Sequence, residues 1–327
     1  MFKRRKCRKN LLEPVVNKGL LYEEKEVYNQ KESTDGGAGK MHFVNAKGIL
    51  SSRGGMNIYR GCSHGCIYCD SRSRCYAMEH AFEDIEVKQN APELLEEELR
   101  SKRKRCMIGT GSMSDPYLPA EKELKLTRRC LEIIDRYAFG AALLTKSTLV
   151  LRDIELLRSI NEKSKCVVQM TLTTADDELC RVVEPNVAVT SERVNALKAF
   201  AENGIPTVVW MCPILPYIND TEENILRLVE MCADVRVHGI INFGMGMTLR
   251  EGSREYYYRQ LDRLFPGLKE KYIRSYGESY ELASVNAGTL TAVFKEACGK
   301  RHIITDIKQC FDFLYDFPTD NDQMSLF

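Results

Sequence analysis

The sequence predicts an α/β fold built on a parallel sheet, and three observations carry that expectation. Short apolar runs rich in β-branched residues recur at residues 56–59, 106–109, 141–144, 166–172, 206–212 and 239–243. Amphipathic helical patterns lie between them, at 92–103, 121–137, 154–160, 191–203 and 221–232. Several helices open on good capping residues: Ser191 precedes Glu192, and Thr221 precedes Glu222, Glu223 and Asn224. Such side chains accept from the first free backbone N–H groups. Strands alternating with helices imply right-handed crossovers, which set successive strands parallel.

Six such units are too few for a closed eight-stranded barrel. Residues 53–252 hold this core. Residues 1–52 read as an extension, with a basic arm from Lys3 to Lys9 and a loop-forming run, Ser33-Thr34-Asp35-Gly36-Gly37-Ala38-Gly39. From Ser253 the pattern turns helical, through Tyr256-Tyr257-Tyr258, 291–298 and 304–313. Residues 253–317 therefore read as a helical C-terminal cap, and 318–327 as a flexible polar tail.

Of 327 residues, 44% are hydrophobic, enough for a sizeable core, and no apolar run approaches the length of a membrane span. The basic N-terminus lacks the apolar stretch of a secretory signal. Thirteen cysteines in such a chain point to reduced thiols and metal chemistry, hence to the cytoplasm. A net charge of +1 neither demands nor excludes nucleic acid, since local patches outweigh the sum.

The most informative segment is Tyr59-Arg60-Gly61-Cys62-Ser63-His64-Gly65-Cys66-Ile67-Tyr68-Cys69. It sets three thiols, Cys62, Cys66 and Cys69, in one short loop at the end of the first strand, the edge where barrel-like α/β folds keep their chemistry. Three thiolates hold three corners of a [4Fe–4S] cube and leave one iron open to a small molecule. A structural zinc site closes with four ligands, and the nearest candidates for a fourth are His64 and Cys75. His64 sits between two of the thiols, where its ring reaches the same metal poorly. Packing thiols are common, but three on one Gly-flanked loop seldom all serve packing.

This loop resembles the cluster loop of the radical S-adenosylmethionine (SAM) enzymes, whose signature is Cys-x3-Cys-x2-Cys with an aromatic residue, here Tyr68, before the third cysteine. The resemblance implies an open (β/α)6 partial TIM-type barrel. It also implies a [4Fe–4S] cluster, bound SAM, and reductive cleavage of SAM to a 5′-deoxyadenosyl radical that takes hydrogen from a substrate. Together with Asp115-Pro116-Tyr117-Leu118-Pro119-Ala120-Glu121, and with Arg193 and the segment from Gly204 to Asp220, the motif looks like the spore photoproduct lyase-like family. That likeness covers about residues 53–245. By it, Tyr68 lies near the adenine and Ser112 resembles the SAM-contacting serine after the second strand. Lys146 resembles a lysine for the SAM carboxylate, and Thr171 or Thr173 takes the place of a hydroxyl contacting the methionyl or ribose part. A low-potential donor of the flavodoxin or ferredoxin type is implied as reductant.

Two departures leave the substrate open. Asp70 follows the third cysteine where the lyases have tyrosine, and Thr110 stands at the place of their hydrogen-donor cysteine. Cys75, Cys130, Cys166, Cys180, Cys212, Cys232, Cys298 and Cys310 read mostly as packing residues. Nucleic acid, a protein or a small metabolite all remain as substrates, alongside a non-catalytic iron–sulfur sensing module. The terminal Gln323, Leu326 and Phe327 resemble the short peptide that docks on bacterial DNA sliding clamps, two apolar anchors and a polar register residue on a tail.

Anaerobic reconstitution is expected to yield about four irons per chain and, after dithionite, an EPR signal that SAM alters. Replacing any one of Cys62, Cys66 or Cys69 should abolish SAM cleavage with the fold mostly intact. Stoichiometric zinc in place of iron overturns the assignment.

Overall fold

The computed structural model describes residues 40–318. The basic arm and the terminal Gln323, Leu326 and Phe327 lie outside these. Six strands form one all-parallel sheet in sequential order: β1 Gly55–Met56, β2 Met107–Thr110, β3 Gly140–Thr145, β4 Cys166–Thr171, β5 Thr207–Trp210 and β6 Gly239–Ile241. Crossover helices α1 Ala91–Ser101, α2 Leu126–Arg136, α3 Ile154–Lys163, α4 Thr190–Glu202 and α5 Glu222–Asp234 join them. This is the partial (β/α)6 arrangement, with β1 and β6 at its two edges.

Alternation along each strand separates two faces. Ile108, Leu143, Val168, Val209 and Ile240 point to the helical layer, where they share one core with Leu95, Leu131, Leu157, Leu197 and Leu228. Val167, Val208 and Ile241 point the other way. Because both faces are covered, the strands read as near-continuous apolar runs without alternation.

The C-terminal region supplies α6 Ser253–Leu264, α7 Leu268–Tyr276, α8 Ala287–Lys300 and α9 Ile307–Tyr315. Helix α8 joins the outer layer through Leu290, Phe294 and Cys298. Helix α9 fills the inner face of the sheet, with Cys310 and Leu314 against Val167, Val208 and Ile241. Two glycines make room for it: a side chain at Gly109 would meet the Tyr315 ring at 3.1 Å, and one at Gly239 the Cys310 sulfur at 2.9 Å. The α6–α7 hairpin buries Tyr257, Leu261 and Tyr272 against Ile67, Val183 and Leu215, next to the cysteine loop.

Several boundaries differ from the sequence expectation. The run at 56–59 divides: Met56 ends β1, whereas Tyr59–Arg60 pairs antiparallel with a strand at Ile85–Lys88, which also pairs in parallel with Met41–Val44. This small second sheet was not expected, because its strands are four residues or fewer and two of them carry charged positions. The helix expected at 121–137 breaks at Lys125, whose backbone is left-handed (φ +52°), leaving a one-turn helix Glu121–Leu124 before α2. The break frees Thr127 N and Arg128 N to donate to the buried Glu121 carboxylate at 3.1 and 3.3 Å. Ser191 lies inside α4, and Glu192 instead accepts from Val189 N at 2.9 Å. The first residue of the run at 304–313, Ile304, bridges to Gly239 as an extension of the sheet edge, so α9 begins at Ile307.

Gly239→Val is expected to destabilise the protein by about 1–3 kcal/mol, because the added carbons collide with Cys310 and the Ile304 carbonyl. Gly299→Ala, exposed on α8 with nothing within 4 Å, should instead stabilise it by about 0.5–1 kcal/mol. Chemical unfolding under anoxic conditions reads both.

Candidate active site

The cysteine loop leaves the small sheet at Gly61, whose φ of +88° and whose closeness to the Phe82 carbonyl exclude a side chain. Backbone bonds then pin the loop on both sides. Cys62 N donates to Phe82 O at 3.0 Å, Ile67 N to Val183 O at 3.0 Å, and Asn186 N to His64 O at 3.1 Å. Cys66 is buried, and Cys62 and Cys69 are partly so. Burial, with Cys69 nearby, pushes the Cys62 thiol up to about 12, and burial raises Cys66 well above the ordinary thiol range. Burial thus favours the neutral thiol at Cys62 and Cys66, and a nearby cation would favour the thiolate.

Asp115 is the first of two anchors beneath the loop. It is buried after β2, and its Oδ1 accepts from Tyr117 N at 2.8 Å and from Thr145 Oγ1 at 2.7 Å. Its Oδ2 accepts from Lys146 N at 2.8 Å and lies 3.5 Å from His64 Nδ1. Burial depresses the His64 pKa, with Asp115 acting in the other direction. His64 thus faces Asp115 and takes no part in the thiol set. Ser114 adds a bond to the Gly61 carbonyl at 2.6 Å. This anchoring directs Lys146 at the loop: its Nζ lies 5.7 Å from the Tyr68 ring centroid, and its charge acts on Cys62, Cys66 and Cys212.

The second anchor is a buried ion pair. Arg193 of α4 is fully enclosed and pairs with Glu184, which is also buried. Arg193 donates further to the Ala188 carbonyl at 2.7 Å, to Cys180 Sγ at 3.0 Å and to the Thr171 carbonyl at the end of β4. The other Glu184 oxygen accepts from Tyr68 Oη. One chain of bonds therefore runs from β4 through Arg193 and Glu184 to the aromatic residue of the cysteine loop.

The sequence-derived positions fall unevenly around this frame. Lys146, Thr171 and Thr173 stand at the carboxyl ends of β3 and β4, on the edge that carries the loop, and Tyr68 is within it. Thr173 is buried with its Oγ1 lacking a hydrogen-bond partner. Ser112 is exposed in the loop after β2. Asp70 accepts from Ser73 Oγ at 3.1 Å and from Tyr76 Oη at 2.9 Å and faces Arg250 at 3.8 Å, tying the segment after the cysteines to the C-terminal region. Sequence reasoning missed Glu184 as a partner of Tyr68, and it grouped Cys212 with packing thiols although it stands past the end of β5 near Lys146. Only the pleat of β5 hints at the latter, since Val208, Trp210 and Cys212 fall on one face.

The Radical SAM superfamily profile matches residues 56–229, more than half of the chain. The chain belongs to the radical SAM superfamily. An uncharacterised protein of Methanocaldococcus jannaschii is 35% identical over 181 residues, covering 55% of this chain and 67% of its own length. One of Mycobacterium tuberculosis is 29% identical over 232 residues, covering 68% and 66%. Among solved structures, spore photoproduct lyase complexed with dinucleoside spore photoproduct superposes with a TM-score of 0.58 at 12% identity, over 80% of this chain and 79% of that one. A lyase double mutant with bound AdoMet and the same dinucleoside gives 0.54 at 13% identity, over 74% and 72%. At such identities the likeness is one of fold.

This radical SAM enzyme takes a [4Fe–4S] cluster and SAM as cofactors, and the loop fits that pair. Its three thiols come from one short, backbone-pinned loop, Cys66 buried and Cys62 and Cys69 partly so. Three thiols suit three corners of a [4Fe–4S] cube and leave the fourth iron open. On the same edge the buried Thr173 hydroxyl has no hydrogen-bond partner, and the Lys146 ammonium faces the Tyr68 ring.

Removing Arg193 alone, as Arg193→Leu, is expected to cost about 3–5 kcal/mol, because it strands the Glu184 carboxylate. Pairing it with Glu184→Leu should recover part of that loss. Unfolding free energies around the double-mutant cycle measure the recovery.

Proposed function

We propose that Cys62, Cys66 and Cys69 ligate the cluster, that Tyr68, Lys146, Thr171 and Thr173 hold SAM with Ser112 at its margin, and that the substrate is a nucleobase of nucleic acid. When bound and reduced by one electron, the cofactor pair supplies carbon-radical chemistry able to remove a hydrogen atom. This chain's residues do the positioning. The Lys146 ammonium offers charge-assisted donors to a carboxylate. Tyr68, held by Glu184, presents an aromatic wall at a fixed orientation, and Thr173 Oγ1 is free to bond an incoming polar group. The α6–α7 hairpin packs its aromatic side chains against the loop and excludes water from that side.

The observation that carries the nucleic-acid reading is an aromatic pair beside this edge. Trp210 of β5 and Phe243, just past β6, meet edge to face at 5.6 Å, and Phe243 is 43% exposed. Trp210 is braced behind by Phe311 and by a bond from its Nε1 to Gln169 Oε1 at 2.8 Å. A braced aromatic surface suits stacking by a flat base, a contact worth about 1–3 kcal/mol. The reading is in keeping with a fold neighbour, spore photoproduct lyase, solved in complex with a dinucleoside spore photoproduct. In this reading a flavodoxin- or ferredoxin-type protein delivers the electron in the cytoplasm, and Gln323, Leu326 and Phe327 dock the enzyme on a sliding clamp. Among the described residues no helix is long and apolar enough to cross a membrane.

Reduced, SAM-loaded enzyme incubated with deuterated single-stranded DNA or RNA is expected to place label in 5′-deoxyadenosine. Phe243→Ala should weaken oligonucleotide binding by about five- to a hundredfold. SAM cleavage with no label from either nucleic acid, and no binding of oligonucleotide, would point to a protein or metabolite substrate instead.

A further inference from the structure

The small second sheet brings together His42, His80 and Glu86, whose donor atoms all lie within 4.8 Å of one another. Strand register accounts for two of them. Met41–Val44 runs parallel to Ile85–Lys88 and sets His42 directly beside Glu86. Ile85 and Val87 turn into the core, which leaves Glu86 half-buried on the outer side. His80 comes from the loop that leads into this strand, and its ring meets that of His42 edge-on, 4.8 Å between centroids and 84° between planes.

Both imidazoles are already oriented. His42 Nδ1 lies 2.9 Å from Asp84 Oδ1, and His80 Nδ1 lies 3.0 Å from the Ala81 carbonyl oxygen. Both partners are acceptors, so each neutral ring carries its proton on Nδ1 and presents Nε2 as a lone pair. His80 Nε2 is buried and has no hydrogen-bond partner. Glu86 Oε2 stands 3.8 Å from it. That separation is too long for a hydrogen bond and lies within the roughly 4 Å spanned by two metal–ligand bonds of about 2 Å. Surface ion pairs of His42 with Asp84 and of His80 with Glu86 would still leave the buried Nε2 of His80 without a hydrogen bond.

We propose that His42 Nε2, His80 Nε2 and a Glu86 carboxylate oxygen bind one divalent ion of the zinc class, with water completing a four-coordinate shell. Two imidazoles and a carboxylate suit such an ion. Asp84 and the Ala81 carbonyl serve as the outer partners that fix ring orientation and ligand basicity. The ion's position gives it a structural task. Phe82 O, within the same loop, accepts from Cys62 N, and the Phe82 and Asp84 carbonyls flank Gly61. An ion joining His42, His80 and Glu86 therefore stiffens the segment on which the first cysteine rests, without sharing any donor with Cys62, Cys66 or Cys69.

The test is elemental analysis and zinc titration of the cluster-loaded protein after mild chelation under anoxic conditions. One zinc per chain is expected at micromolar or lower dissociation constant, with about four irons retained, together with a rise in the unfolding temperature. His80→Gln, or Glu86→Gln if the first variant folds poorly, should lower zinc affinity at least a hundredfold while iron content shows the fold intact. Asp84→Asn should weaken it by about ten- to a hundredfold. No zinc bound at 100-micromolar concentrations (on the order of a hundredfold above the expected constant), or equal stoichiometry and affinity in wild type and both ligand variants, would overturn the proposal.

Discussion

The buried pairing of Arg193 with Glu184 is the constraint on which the cysteine loop depends. Neither group reaches solvent, and an isolated charge at either position would cost several kcal/mol. The pair is tolerable because its remaining hydrogen-bonding capacity is used: the guanidinium also reaches the Thr171 and Ala188 carbonyls and Cys180, and the carboxylate also accepts from Tyr68. Satisfying those groups fixes three elements at once, the end of β4, the segment around 180–188 and the loop. Arg193 acts as a staple between scaffold and site.

A comparable logic runs through β2 and β3. Asp115 gathers Thr145, the Lys146 backbone, Tyr117 and His64 around one carboxylate. Nearby, Glu121 and Asp153 are wholly buried and are satisfied by Arg152, Arg128, Tyr59 and Tyr117. The acidic residues of the Asp-Pro-Tyr-x-Pro-x-Glu stretch are thus engaged with protein partners. That stretch contributes to the site by joining the end of β3 to Tyr59 of the small sheet, through Asp115 and Glu121 respectively, with Ser114 and Asp115 as its direct links to the loop.

Helix α9 shapes the space left over. It covers the inner face from Val167, Val208 and Gly239 to Ile241 and Trp210, while Lys146 and Cys212 lie just past the ends of β3 and β5 and Thr171 ends β4. In barrel-like α/β folds the chemistry sits at the carboxyl ends of the strands, the edge that carries the cysteine loop.

What the sequence by itself determined is local. The spacing of Cys62, Cys66 and Cys69, the aromatic residue before the last of them and the alternation of apolar runs with capped helices are properties of neighbours along the chain. They sufficed for the superfamily, its cofactors and the (β/α)6 core. Tertiary structure decided what depends on residues far apart in sequence. Tyr68 and Glu184 are separated by 116 positions and His42 and Asp84 by 42, and nothing in either segment announces the other. The strand Ile85–Lys88 was illegible for the same reason: four residues alternating with charge become a strand only when Met41–Val44 and Tyr59–Arg60 supply its hydrogen-bond partners. A lone His, Glu or Arg carries no sign of its role until folding chooses the group it faces, because the energy of a buried polar side chain lies in its partner and not in its own identity.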